Sequence, residues 1–422
     1  MRMRFLALGL AAIMILTGCK ADTPIQSGVV FYTGAWAGGG PVRIGDGILQ
    51  LSDEKGMQFF DFETFQTVSI CARPNCSHDA SEKNCTAHGL PQSVCYYNDK
   101  LYYAVSSTNI TTDGKRVDVT EIYTCSRDGS NRQKLASVDE VAISYYGLYM
   151  LEGNRLYIIL ARPDEVFNEK TGISEYMGDK AADLYCYDIG ERDLIKVSSF
   201  YEGYEVSVSP LGYDTESGIL YYYLSYSKER TMGANFTDEE ILEKREYKFM
   251  KMDINTGETS QWSHIPSSSS VHSVYKGYAL FTDRKDAGDT MRIKKMNIET
   301  GEESFITEFP VFTFGVTEDK IFMREAGDYS PGDDIAKEEY RSLENKQYYF
   351  DLKKDKLIQI SEFRSGYSLS TSILSSYKDM YIISVVDISE PDQPKYYTAK
   401  IKKTDYLKGE MNFIATYDGA IY

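Results

Sequence analysis

The feature that most constrains this chain is a short apolar strand that recurs about every 55 residues, each time after a polar turn. The turns are rich in Gly, Asp, Asn or Lys. Repeats of this length are typical of folds in which each supersecondary unit packs on its neighbours. The seven copies begin at Gly45, Asn98, Gly153, Ser217, Lys276, Glu318 and Lys378.

A second strand follows each copy, and in most repeats it ends in an acidic turn. The clearest examples are residues 249–258 and 293–302. An Asp or Asn side chain in such a turn can accept hydrogen bonds from the turn backbone, and Gly supplies the positive φ that a tight hairpin needs. Each repeat therefore predicts four strands: an inner strand, the apolar strand, the acidic-turn strand and an outer strand.

Four-stranded antiparallel units repeated around an axis are the blades of a β-propeller. The sequence therefore predicts an all-β chain with about seven blades in residues 41–422; six or eight blades, or two β-sandwich domains, are the alternatives. The turn of Asp253, Thr256, Gly257 and Glu258, with Trp262 beyond it, resembles turns of quinoprotein-like and TolB-like propellers. The resemblance implies a fold and no activity.

The N-terminus has the pattern of an export signal. Arg2 and Arg4 precede an apolar run over residues 5–16, which is shorter than the roughly 20 residues of a membrane-spanning helix. Residues 16–19, Leu-Thr-Gly-Cys, resemble a bacterial lipobox. The resemblance implies a signal peptide over residues 1–18, a lipid on Cys19 and a flexible tether over residues 19–40. The chain is then held on the outer side of the cell membrane; an ordinary secretory signal with an incidental Cys is the alternative.

Three long segments interrupt the repeat, over residues 161–182, 227–246 and 325–346. Each lies between the second and third strands of its blade, so all three are expected on one rim. Two are expected to contain helices, one opening at Thr237 with a capping-box pattern and one over residues 334–340.

The charge of the chain is −17, and these segments carry −2, −2 and −4. The acidic balance argues against nucleic-acid binding. It fits either solvated loops or a rim that attracts a protein or carbohydrate partner.

Four potential metal ligands fall close together at Cys71, Cys76, His78 and Cys85. Three thiols and one imidazole can surround a structural zinc ion, two of the thiols can form a disulfide outside the membrane, or the thiols can stay free. The pattern C-x-x-P-x-C-x-H resembles a motif of uncharacterised propeller-like lipoproteins of anaerobic gut-type bacteria, which have no established activity. Cys125 and Cys186 lie in predicted strands and are expected to be buried.

The sequence contains no G-x-S-x-G, H-E-x-x-H, P-loop or G-x-G-x-x-G pattern, and therefore nominates no catalytic or cofactor-binding residue. We expect a non-enzymatic binding or scaffold propeller. The alternative is an extracytoplasmic enzyme that acts on a polysaccharide, as a glycosidase or a lyase. An enzyme should gather carboxylates, Arg or Tyr at the mouth of the central channel, whereas a scaffold should present an apolar or charged patch on its rim.

Overall fold

The computed structural model describes most of the predicted propeller. The predicted signal peptide, Cys19 and the tether lie outside the described residues, as do most of the third insertion and its expected helix at residues 334–340. The described residues are 42–44, 46–52, 55–79, 82, 85–89, 94–110, 112, 116–143, 149–152, 154–168, 173–214, 217–232, 236–267, 271–283, 292–309, 311–317, 320–325, 346–360, 369–387 and 395–418.

The chain folds into seven antiparallel sheets in which the order of the four main strands follows the order of the chain. Each sheet is one blade, which confirms the predicted seven-bladed β-propeller. Blades 1 and 2 contain β1 Val42–Ile44, β2 Gly47–Ser52, β3 Gly56–Asp61, β4 Gln66–Ser69, β5 Cys95–Tyr97, β6 Lys100–Ile110, β7 Arg116–Ser126 and β8 Gln133–Asp139. Blade 3 contains β10 Tyr149–Glu152, β11 Arg155–Asn168, β12 Ile173–Asp188 and β13 Asp193–Glu202, and the short β9 Ala142–Ile143 also pairs with β11.

The remaining four blades have the same arrangement. Blade 4 contains β14 Tyr204–Asp214, β15 Ile219–Ser227, β16 Arg245–Asp253 and β17 Thr259–Gln261. Blades 5 and 6 contain β18 Val271–Tyr275, β19 Tyr278–Asp283, β20 Arg292–Asn297, β21 Glu303–Phe305, β22 Val311–Thr317, β23 Lys320–Glu325, β24 Gln347–Asp351 and β25 Lys356–Gln359. Blade 7 contains β26 Leu369–Tyr377, β27 Met380–Asp387, β28 Lys395–Lys402 and β29 Phe413–Asp418.

The acidic turns form as their sequences predict. Asp253 Oδ1 accepts hydrogen bonds from the backbone N–H groups of Asn255 and Thr256, at 2.8 and 3.3 Å. Gly257 then adopts a φ of 75°, a conformation that side chains other than Gly rarely take. The same side-chain-to-backbone bonding at Asn297 shapes the corresponding turn of blade 5.

The insertions join the second and third strands of their blades, as expected. Residues 161–182 extend β11 and β12 into a long hairpin that is paired as far as Asn168 and Ile173. Residues 227–246 contain α1, Asp238–Lys244, which begins with the predicted capping box between Thr237 and Glu240. A second short helix, α2 Lys403–Lys408, joins β28 to β29. In the described part of the chain, no helix is long and apolar enough to cross a membrane.

The ring closes between blade 7 and blade 1 through side chains, because the described residues show no strand shared between the two sheets. Phe60 and Phe62 of the first blade pack against Tyr377 and Ile382 of the last. Lys400 Nζ donates a hydrogen bond to the Phe62 carbonyl oxygen at 2.6 Å.

Candidate metal centre and insertion rim

The segment that joins blade 1 to blade 2 begins with a tight turn. Pro74 has a fixed φ, and Asn75 follows it in the left-handed region at 59°, which Asn tolerates better than most residues. His78 is also left-handed, at 56°. These reversals turn the chain back on itself between Cys71 and His78.

The turn brings together the four residues that the sequence singled out, Cys71, Cys76, His78 and Cys85. Their three Sγ atoms and one imidazole nitrogen all lie within 4.8 Å of one another. Cys85 Sγ lies 3.7 Å from His78 Nδ1. We call these four residues the cysteine cluster.

The cysteine cluster is supported from blade 1. Thr86 donates a hydrogen bond from its hydroxyl to the Ile70 carbonyl oxygen at 3.0 Å. A short 3-10 turn, Ala87–Gly89, packs so tightly on β3 that a methyl group built on Gly56 would lie 2.7 Å from the Ala87 carbonyl oxygen. A side chain at Gly56 would therefore push the segment away, and its φ of 67° also favours Gly.

The environment of the cluster changes the acidity of its thiols. Partial burial opposes ionisation of Cys71, but contacts with Thr86 and with the backbone N–H of Arg73 lower the pKa of its thiol to about 6. The pKa of Cys76 is raised, first by its partial removal from water and then by the neighbouring Cys85 and Cys71 thiols. One thiol thus favours the thiolate, which is the form that binds metal ions.

The other cysteines are of a different kind. All six from Cys71 onward are free thiols. Cys95, Cys125 and Cys186 are buried within blades, and burial raises the pKa of Cys95 to about 12 and that of Cys125 to about 11. They are inert structural residues, as the sequence indicated for Cys125 and Cys186.

The cysteine cluster can hold a metal ion. Zn–S bonds of about 2.3 Å and Zn–N bonds of about 2.0 Å in a tetrahedron place neighbouring ligand atoms roughly 3.5 to 3.8 Å apart, close to the distance between Cys85 and His78. Three Cys and one His complete four-fold coordination and leave no position for a substrate. This closed donor set is typical of structural rather than catalytic zinc sites.

The second functional candidate is the rim formed by the insertions of blades 3 and 4. Arg230, which follows β15, donates hydrogen bonds from Nε and Nη2 to Asp164 Oδ2 on the blade 3 hairpin, at 3.0 and 2.6 Å. The two insertions therefore meet on the same side of the ring. We call the described residues of the two insertions, 161–182 and 227–246, together with the adjacent Tyr204 and Glu205, the insertion rim.

Glu205 stabilises the part of the insertion rim that follows β15. Its carboxylate is nearly buried, with 8% of the residue exposed, and it accepts hydrogen bonds from Ser227 Oγ, Thr231 Oγ1 and the backbone N–H groups of Thr231 and Met232. Burial opposes ionisation, yet these donors together lower the pKa of Glu205. A buried carboxylate with this many donors fixes the path of the loop.

Apolar side chains are exposed on this rim more than elsewhere. Half of the large hydrophobic residues that are exposed in the described chain belong to the insertions or flank them: Val166, Tyr176, Tyr204, Met232, Leu242 and Tyr247. Met232 lies against Gly178 of the hairpin, and Arg230 lies beside the Tyr204 ring. Interaction surfaces are marked by contiguous apolar patches, and these side chains are the candidates for such a patch on this rim.

The sequence indicated the cysteine cluster because its members share a short segment. It gave no signal for Glu205 or for the bond between Asp164 and Arg230, which are 66 residues apart. The cluster and the rim are separate, since one lies between blades 1 and 2 and the other on blades 3 and 4.

No protein-family model matches the chain, and no curated protein matches it in sequence. Several solved structures are similar in fold. A dipeptidyl peptidase 4 from Porphyromonas gingivalis is 11% identical, with 90% of this chain and 60% of that one covered and a TM-score of 0.44. The β-propeller domain of the Trilobed protease from Pyrococcus furiosus is 10% identical, with 87% and 97% covered and a TM-score of 0.40. TolB from Acinetobacter baumannii is 11% identical, with 82% and 77% covered and a TM-score of 0.28. These likenesses concern the fold and carry no activity to this chain.

Proposed function

We propose that the protein is a lipid-anchored extracytoplasmic propeller that binds a partner protein on its insertion rim and is not an enzyme. One observation carries the proposal: two insertions from different blades are locked together by Asp164 and Arg230 and expose apolar side chains. A rigid surface loses little entropy on binding, because its loops are already ordered.

The partner should carry positive charge beside apolar side chains. The insertions of blades 3 and 4 carry −2 each. Their seven cations include Arg162, Lys228 and Arg230, which are paired with carboxylates of the same region. The field of the rim is therefore acidic, and its attraction should weaken with salt over a Debye length of about 8 Å at physiological ionic strength.

The test is a partner capture by crosslinking in the cells that make the protein. Tyr176→Ser with Met232→Ser alters the rim, and Val68→Ser with Ile414→Ser removes equally exposed apolar side chains elsewhere. We expect the rim variant to lose partners that the control variant keeps. If both variants keep every partner equally, the rim does not bind these partners.

Glu205→Gln offers a second probe that leaves the exposed surface unchanged. It should loosen the loop over residues 227–232 and weaken binding without removing any rim side chain. Hydrogen exchange in that loop reports the loosening directly.

We also propose that the cysteine cluster binds one structural zinc ion that fixes blade 1 to blade 2. The four converging donors support this, since a disulfide would need only two of them. Native mass spectrometry of the purified protein should find one zinc, lost in Cys85→Ser and kept in Cys125→Ser. A metal-free protein that is two hydrogens lighter before reduction would instead establish a disulfide.

The anchor is tested apart from both sites. Cys19→Ala should prevent lipid attachment, and it should either release the chain from the membrane fraction or leave its signal peptide uncleaved. Processed Cys19→Ala protein that stays with the membrane would contradict the lipoprotein assignment while leaving the rim and the metal centre untouched.

A further inference from the structure

A cavity of about 400 Å³ lies between blades 3 and 4 at the turns that follow β12 and β16, which are the third strands of their blades. Its blade 3 wall is one face of three paired strands. Tyr157, Cys186 and Ile195 are neighbours across these strands and face the cavity together. The turn at Asn255 and Thr256 forms the opposite wall.

The cavity is held in shape by a contact between the blades. Ser198 Oγ donates a hydrogen bond to the Gly257 carbonyl oxygen at 2.8 Å, which fixes the blade 4 turn against β13. A methyl group built on Gly257 would lie 2.8 Å from the Val197 carbonyl oxygen, so the approach requires Gly. The cavity is therefore preformed, as small-molecule sites usually are.

The floor of the cavity is apolar. Tyr157, Cys186 and Ile254 are each at most 5% exposed. Ile195 lies at the wall and is 53% exposed. A ligand with an apolar body would cover this side chain and gain from its removal from water.

The charges at the mouth are unbalanced. Two cations line the mouth: Arg155 pairs with Asp188 at 3.5 Å, and Lys196 lies 2.9 Å from Asp183, a carboxylate that it shares with Arg162. The carboxylates of Glu191 and Asp193 have no such partner among the described residues, and both are exposed beside the cavity. A positively charged group would compensate them.

From this geometry we infer that the cavity binds a small organic cation, an amine on an apolar body, through Glu191, Asp193 and Ile195. The inference does not depend on the insertion rim or on the metal centre. A cavity of this volume falls at the lower end of small-molecule sites. Exposed charge pairs are worth up to about 1 kcal/mol each, which corresponds to about fivefold in affinity for each carboxylate.

The experiment is calorimetric titration of the protein with tryptamine, with tryptophol as the neutral probe of similar shape. We expect saturable tryptamine binding that is about 5- to 25-fold tighter than tryptophol binding and that weakens with salt. Glu191→Gln with Asp193→Asn should weaken tryptamine binding by about 5- to 25-fold.

The matched control is Glu299→Gln with Glu302→Gln, which makes the same change of charge at the exposed turn of blade 5 and should alter binding less than twofold. Ile195→Ser should weaken tryptamine and tryptophol alike, because it removes an apolar contact that both make. Equal binding of the two probes, equal effects of the two double variants, or no saturable tryptamine binding at millimolar concentration would each overturn the inference.

Discussion

Blade 1 is joined to its two neighbours in different ways. Towards blade 2 it is linked by a covalent segment that folds around the cysteine cluster and packs on Gly56. Towards blade 7, the part of the chain that the structure describes shows side-chain contacts and no shared strand, with Phe60, Phe62, Lys400 and Glu63 at the junction. The strands of this blade are only 3, 6, 6 and 4 residues long, so it needs support on both sides.

Both junctions bury side chains, and they differ in what is added to that packing. The closing junction is rich in aromatic rings, which need precise packing over a large area. At the first junction, Leu49 and Phe59 pack with Leu101 and Tyr103 of blade 2, and four donor groups at one point can add a single ion to these contacts. The two junctions should therefore respond to different perturbations.

The largest effect is expected from Phe60→Ala. Phe60 is fully buried, and its ring lies 4.9 Å from that of Phe65 and 5.3 Å from that of Tyr417. Removal of a buried Phe side chain lowers the free energy of unfolding by about 3 to 5 kcal/mol. Hydrogen exchange should show opening between blades 7 and 1, whereas Phe281→Ala, equally buried in blade 5, should destabilise without opening this junction.

Removal of zinc should have the next largest effect, on the other side of blade 1. If free zinc exceeds its dissociation constant 100-fold, chelation should cost about 3 kcal/mol. Limited proteolysis should then cut the chain between residues 71 and 94 while the contacts of Phe60 persist. A chelated protein that resists cleavage there would mean that the segment holds without a metal ion.

Lys400→Met should have a smaller effect on the closing junction. The change removes a buried charged donor and leaves the Phe62 carbonyl oxygen without its partner, at a cost of about 2 kcal/mol. Lys402→Met, two residues along the same strand and exposed, is the control. Denaturant unfolding of the two variants should separate them, and equal stabilities would show that the bond is dispensable.

The smallest effect, a difference in pH dependence, separates the two junctions. Hydrogen bonds from Lys378 and Tyr377 lower the pKa of Glu63 below its ordinary 4.5, so its contribution is present above that pH and is lost as the pH falls through the lowered value. Zinc ligands must be deprotonated, so the first junction should lose its ion earlier, between about pH 7 and 5. Zinc release and hydrogen exchange at the closing junction should be followed together as the pH falls. Zinc should be released first, and exchange at the closing junction should increase only at lower pH. Both changes at the same pH would contradict the comparison.

The sequence predicted the fold and part of the site because the relevant information is local. The acidic turns at Asp253 and Asn297, the capping box at Thr237 and the spacing of Cys71, Cys76, His78 and Cys85 each lie within a few residues along the chain. The repeat then indicated the blade, since every copy places the same strands in the same order. The contacts between side chains of neighbouring blades could not be predicted.

What the sequence determined by itself is thus the repeated unit, its turns and the candidate metal ligands. The tertiary structure alone decided that Arg230 reaches Asp164, that Tyr377 reaches Glu63 across 314 residues, and that Glu191 borders a cavity. The physical reason is that short-range patterns fix backbone conformation, whereas pairing between distant side chains depends on the twist and spacing of neighbouring sheets. No single stretch of this chain encodes that geometry.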